Sequence, residues 1–177
     1  MNKETIIKSI REIPDFPIPG ILFYDVTTMF KDRDALKTIL DILYEMYKDK
    51  GITKVVGLES RGFIMGPALA IRLGAGFVPI RKPGKLPAET IEISYDKEYG
   101  KDTIQMHKDA ISEDDVVLIH DDLLATGGTM AAACQLVRQL NKKQLFVNFI
   151  IELEQLHGRE KIAQEGIDIT SILQFKK

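Results

Sequence analysis

Four short aliphatic runs constrain the fold more than any other feature of the chain: KVVGL (54–58), GFVPI (76–80), VVLIH (116–120) and LFVNFIIEL (145–153). None shows the strict apolar–polar alternation of a strand with one wet face. Continuous apolar strands are buried on both faces, which is characteristic of parallel sheets. Between the first two runs lie an ESRG turn and the helix-like GPALAIRL. Between the last two lie DDLLATGGT and a helix carrying Met130, Cys134, Val137 and Leu140. Two βαβ units in a short chain predict an α/β fold, a mainly parallel β-sheet flanked by helices.

The flanking segments read less sharply. Ile6, Ile7, Ile10 and Ile13 have helical spacing up to Pro14, and three prolines in PDFPIPGILFYDVT impose an extended path. Asp32 is placed to cap a helix burying Leu36, Ile39, Leu40, Leu43 and Tyr47. RKPGKLPAE reads as a surface loop, and TIEISYD and TIQMH as a hairpin around KEYGK. At 177 residues the chain is expected to form one domain, 1–177. A net charge of -2 gives no electrostatic case for nucleic-acid or membrane partners. A phosphate-rich ligand must then be held by local cations and backbone N–H groups. The single cysteine, Cys134, allows no disulfide framework and no multi-Cys zinc site, and helical spacing puts it in the core. No apolar run approaches ~20 residues, so a soluble, cytoplasmic chain is expected.

Chemistry concentrates in VVLIHDDLLATGGT (116–129). A buried strand delivers Asp121 and Asp122 to its carboxyl end, where open α/β sheets bind ligands. Neighbouring strand residues face opposite ways, so a turn is expected to bring both acids to one ligand. Ala125, Thr126, Gly127, Gly128 and Thr129 then open a helix, with small residues admitting an anion to free N–H groups. Carboxylates for vicinal hydroxyls beside donors for a phosphate match a ribose 5-phosphate. The plainer alternative is that the acids cap a helix and the glycines shape a tight turn.

This segment resembles the phosphoribosyl pyrophosphate signature of type I phosphoribosyltransferases, and LLATGGT the adenine-specific version of it. FPIPGILFYDVT, GLESRGFIMGPALA, RKPGKLP with SYDKEYG, and IELEQLHGREKI agree with the adenine branch, so the likeness covers roughly residues 13–165. It implies a small N-terminal hood, a mobile β-hairpin lid, and transfer of a 5-phosphoribosyl group from phosphoribosyl pyrophosphate to adenine, giving AMP and pyrophosphate.

By the same resemblance, Asp121 and Asp122 contact the ribose hydroxyls and favour the positive charge that develops as pyrophosphate leaves, while Ala125 to Thr129 hold the 5-phosphate. Ser60 and Arg61 bind pyrophosphate together with Arg81, Lys82 and Lys85, and Arg81 also suits a subunit interface. Glu98, in the lid, manages the purine protons. Phe23 and Leu153 sandwich the base, and main-chain groups of Leu22 and Tyr24 read its edge. Magnesium is implied through the substrate's oxygens, with no protein metal cluster, and a homodimer is implied as the assembly. The chain departs from the family at His120, usually aliphatic and here expected to start the turn and be exposed, and at Tyr24, where arginine is commoner. Two further readings are a regulator that keeps the site without catalysis and an enzyme for 6-oxopurines. The first lacks a basic DNA-binding element, and ATGGT with FYDVT speaks against the second.

Overall fold

The computed structural model describes residues 3–16, 18–20, 22–96, 100–163 and 166–176. They form two compact units, Met1–Met46 and Tyr47–Lys177.

In the first unit, helix α1 (Glu4–Ser9) precedes strand β1 (Arg11–Pro14), strand β2 (Leu22–Asp25), the short α2 (Thr27–Lys31) and α3 (Arg33–Tyr47), whose last residue opens the second unit. The helical spacing through Ile13 is therefore broken early. Ser9 Oγ donates to Ile6 O at 2.7 Å, Ile10 turns extended, and Ile13 sits in β1 opposite Phe23. A six-residue helix yields readily to the antiparallel β1–β2 ladder, because so short a helix has little stability of its own. The cap at Asp32 forms as the sequence predicts, its Oδ1 accepting from Ala35 N at 2.7 Å. Ile39, Leu43 and Tyr47 are buried on α3, while Leu36 and Leu40 are only half-buried.

The second unit continues with β3 (Lys54–Leu58), α4 (Gly62–Leu73), β4 (Gly76–Ile80), β5 (Thr90–Asp96), β6 (Lys101–His107), β7 (Val117–Leu124), α5 (Gly128–Arg138), β8 (Leu145–Leu153), a 3₁₀ turn (Glu154–Leu156), α6 (Gly158–Ile162) and β9 (Ile167–Phe175). Five strands form a parallel sheet in the order β4-β3-β7-β8-β9. The strand at β9, whose half-polar sequence IDITSILQF carries no strong apolar run, extends the sheet beyond the four runs legible in the sequence. The hairpin β5–β6 is antiparallel and pairs Tyr95 with Asp102. No described helix is long and apolar enough to cross a membrane.

A buried polar chain crosses the sheet. His120 Nδ1 lies 3.2 Å from Asn148 Oδ1, Asn148 Nδ2 donates to Thr170 Oγ1 at 3.0 Å, and Thr170 meets the Tyr47 hydroxyl at 2.5 Å. His120 is therefore wholly buried rather than exposed at a turn, because β7 runs on through it to Leu124. Burial pushes its pKa down to about 4 against the opposing pull of Asn148 and Asp122, so the ring is neutral at pH 7.

Candidate active site

After β3 the chain adds β4 on one side of the sheet, and after β7 it adds β8 on the other. The carboxyl ends of β3 and β7 therefore flank a topological switch point, the crevice where open α/β sheets bind ligands. A cleft of about 270 Å³ lies there, lined by Glu59, Ser60, Arg61, Asp121 and Asp122. Both acids reach it without the expected turn, since they belong to the continuous strand β7. Asp121 Oδ1 accepts from the Asp122 N–H at 2.9 Å, so the first carboxylate folds back along the strand beside the second.

The electrostatics of the pair are uneven. Asp122 is 1% exposed, and Arg61 Nε lies 2.5 Å from its Oδ2. That approach lacks hydrogen-bond alignment, so Oδ2 is a buried acceptor with no directed donor among the described residues. Burial, followed by the charge of Asp122, holds the Asp121 carboxyl well above the usual aspartate range, and Arg61 only partly offsets this. Two adjacent carboxyls in one cleft resist double ionisation, and an incoming cationic or hydroxyl-bearing group relieves them.

Glu59, at the end of β3, gathers the cationic loop. Arg81 Nε lies 3.2 Å from its Oε2, Lys82 N donates to the same oxygen at 3.0 Å, and the Lys85 ammonium closes on Oε1. Desolvation raises the Glu59 pKa, but Lys85, the Lys82 N–H and Arg81 outweigh it and hold the group below the ordinary glutamate value. Arg81 and Lys82 also share a small cavity with Glu59 and Thr129, so the cationic loop and the β7–α5 loop meet at one place. Lys82 pairs in addition with Asp102 of β6.

The 125–129 loop is shaped by steric closeness. Gly127 caps α5 with φ of 79°, and a Cβ there would lie 2.3 Å from Gly158 O. Reciprocally, a Cβ on Gly158 would stand 2.2 Å from Ala125 O. Only two glycines permit such an approach. Gly158 is itself fixed by its neighbour Arg159. That side chain grips the buried Glu152 of β8 through Nε at 2.9 Å and Nη2 at 2.5 Å, and donates from Nη1 to Ile169 O at 2.8 Å.

Leu22, Phe23 and Tyr24 lie on β2 of the first unit, where Phe23 stacks edge-on against Phe16 at 5.1 Å and Tyr24 is buried. Leu153 ends β8 in the second unit and is half-buried. Glu98 lies outside the described residues. The second unit thus brings together the predicted Ser60, Arg61, Asp121 and Asp122, with Arg81, Lys82 and Thr129 alongside. The sequence places Glu59 at this edge of the sheet in the ESRG turn but does not show it gathering the cations, and it gives no sign of Tyr95, Asp102 and Gly158 as neighbours of the site. Their roles come from tertiary partners distant in sequence, and the LHGR string marks Gly158 without placing it.

This geometry defines a class: an open α/β protein with a glycine-shaped loop opening a helix and a carboxylate pair at its switch point. A phosphoribosyl transferase domain model matches residues 26–174. An adenine phosphoribosyltransferase of Bacteroides fragilis is 72% identical over 174 residues, covering 98% of either chain. Among solved structures, the adenine phosphoribosyltransferase of Thermoanaerobacter pseudethanolicus is 46% identical with a TM-score of 0.90, covering 98% of this chain and 100% of its own. That of Giardia lamblia, complexed with 9-deazaadenine, is 41% identical with a TM-score of 0.92, covering 100% and 99%. The chain belongs to the phosphoribosyltransferase family and, within it, to the adenine phosphoribosyltransferases.

Proposed function

We propose that the protein transfers the 5-phosphoribosyl group of phosphoribosyl pyrophosphate to adenine, forming AMP and pyrophosphate in purine salvage. The carrying observation is the convergence of Asp121, Asp122 and Arg61 on one cleft at the switch point, with the 125–129 loop following directly on β7. In this reading Asp121 and Asp122 accept from the ribose 2- and 3-hydroxyls. Their charge favours the oxocarbenium-like centre that forms as the C1–pyrophosphate bond breaks and the purine nitrogen bonds to C1. Ala125, Thr126, Gly127, Gly128 and Thr129 hold the 5-phosphate. Ser60 and Arg61 bind pyrophosphate, and Arg81, Lys82 and Lys85 exchange Glu59 and Asp102 for its oxygens.

Glu98 takes or gives the purine proton, and the β5–β6 hairpin closes as a lid that excludes water. Leu22, Phe23, Tyr24 and Leu153 are each assigned a contact with adenine, and the Giardia relative's complex with 9-deazaadenine is in keeping with an adenine-like base as substrate. Magnesium fits this donor set. The undirected Asp122 Oδ2 is a hard oxygen acceptor, and no cluster of three His, Cys, Asp or Glu occurs among the described residues. The ion would ride on substrate oxygens and waters beside Asp121 and Asp122, neutralising charge on the leaving pyrophosphate.

Residues 1–177 act as one catalytic domain in this reading, supported by a family match that runs unbroken through Met46. A cytoplasmic homodimer is the assembly proposed. In its favour, α4 exposes Ile64 at 44% and Ile71 at 81%, an apolar surface suited to a partner. The test is purified protein with magnesium, phosphoribosyl pyrophosphate and each purine in turn, following nucleotide and pyrophosphate. Adenine should exceed hypoxanthine by ~10⁴, since a misread 6-oxo group leaves buried polar groups unpaired. Turnover of hypoxanthine within about tenfold of adenine would overturn the adenine assignment.

A further inference from the structure

The Tyr95 hydroxyl sits where three chemistry-bearing segments meet. It donates to Asp102 Oδ2 at 3.3 Å and lies 2.9 Å from Thr129 Oγ1, while Asp102 also holds the Lys82 ammonium. The Tyr95 ring is half-buried against the core, 3.9 Å from where a Cβ on Gly128 would stand. A hydroxyl carries one proton. With Tyr95 donating to Asp102, the short contact to Thr129 requires Thr129 to spend its own proton on Tyr95. Thr129 then has none to give a phosphate oxygen. For Thr129 to donate to a phosphate, Tyr95 must turn its proton from Asp102 to Thr129 Oγ1, while Asp102 keeps Lys82 and the Thr103 N–H.

We infer that Tyr95 is a positioning residue for the 5-phosphate site, its hydroxyl setting the direction in which Thr129 points its proton. The inference rests on the assignment of Thr129 to the 5-phosphate. It links the two ends of the substrate, because the Thr129–Tyr95–Asp102–Lys82 chain runs from the phosphate loop to the cationic loop proposed for pyrophosphate.

Calorimetric titration with ribose 5-phosphate, which lacks the pyrophosphate, isolates the effect. Tyr95→Phe keeps the ring and removes the oxygen that takes the Thr129 proton in the free protein, and should tighten binding about 2- to 12-fold, the range for one hydrogen bond. Thr129→Val should weaken binding by a similar factor, and adding Tyr95→Phe to Thr129→Val should change nothing more, since Tyr95 acts only through the Thr129 proton. Asp102→Ala frees the Tyr95 proton for Thr129 and should tighten binding. Thermal melts of each variant confirm folding, and Thr129→Ser should restore wild-type affinity. A Tyr95→Phe effect that persists in the Thr129→Val background, or a weakening by Tyr95→Phe or Asp102→Ala, would show Tyr95 to be scaffold only and overturn the inference while the phosphate assignment stands. Unchanged binding in Thr129→Val would instead overturn the phosphate assignment and the inference with it.

Discussion

Two loops leave the same edge of the sheet and are built on opposite principles. The loop after β3 is organised by charge: Glu59 collects Arg81, Lys82 and Lys85, and Arg61 crosses to Asp122. The loop after β7 is organised by shape, its backbone seated against Gly158 where neither partner tolerates a Cβ. A loop held by ion pairs can exchange those partners for an anion's oxygens and recover them when the anion leaves. A loop held by backbone contact has no partners to exchange and stays preformed. The contrast suits a substrate with a retained phosphate at one end and a departing pyrophosphate at the other.

Asp122, where the two loops touch, is the most sensitive point of the comparison. Asp122→Asn keeps the shape and removes the charge, so kcat should fall by ~10²–10³ while phosphoribosyl pyrophosphate still binds. Steady-state kinetics with a parallel binding titration check this, and a near-normal kcat would remove the electrostatic role. On the shape-built side, Gly158→Ala should cost about 1–3 kcal/mol of stability by overpacking and weaken ribose 5-phosphate binding, with no dependence on salt. Denaturant melts and titrations at two ionic strengths measure both, and an affinity loss that vanished at high salt would contradict a steric origin.

Acid should separate the loops. Glu59 has a depressed pKa, so its contribution is present above the ordinary glutamate range and is lost as pH falls through its lower folded value. The cationic loop should then loosen while the glycine seat persists, visible as amide exchange rising at 81–86 but not at 125–129. The smallest effect is expected from Glu59→Gln at neutral pH. Pyrophosphate binding should change by only a few-fold, since partly exposed ion pairs contribute about 1 kcal/mol or less and an attached competitor is also lost. A large loss of pyrophosphate affinity would mean that Glu59 positions the cations rather than merely occupying them.

The same contrast governs what the sequence made legible. Strands β3, β4, β5 and β8 lie where their residue patterns put them, because each is defined by its own apolar run or alternation. The acids and glycines of 121–129 were legible because their chemistry lies within one contiguous segment. Helix α1 ended early because the β1–β2 ladder claimed Ile13, which no local spacing could reveal. His120 was misplaced for a related reason. A histidine in a strand reads as exposed until Asn148, on the neighbouring strand, supplies its partner and is itself held by Thr170 one strand further on. The partners of Glu59 and Tyr95 were not legible because Lys85, Asp102 and Thr129 are brought close to them only by folding.

The seat of Gly127 on Gly158 also has a consequence for the order in which the protein is made. Synthesis runs from the amino end, so the 125–129 loop leaves the ribosome before the residue that backs it. Strand β8 and the start of α6 must both emerge and dock before the loop has its wall. The whole of the 116–129 segment is thus present in the nascent chain while the wall that seats its loop is not. Chains stalled short of Gly158 are expected to retain no ribose 5-phosphate, and chains extended through β9 to capture it.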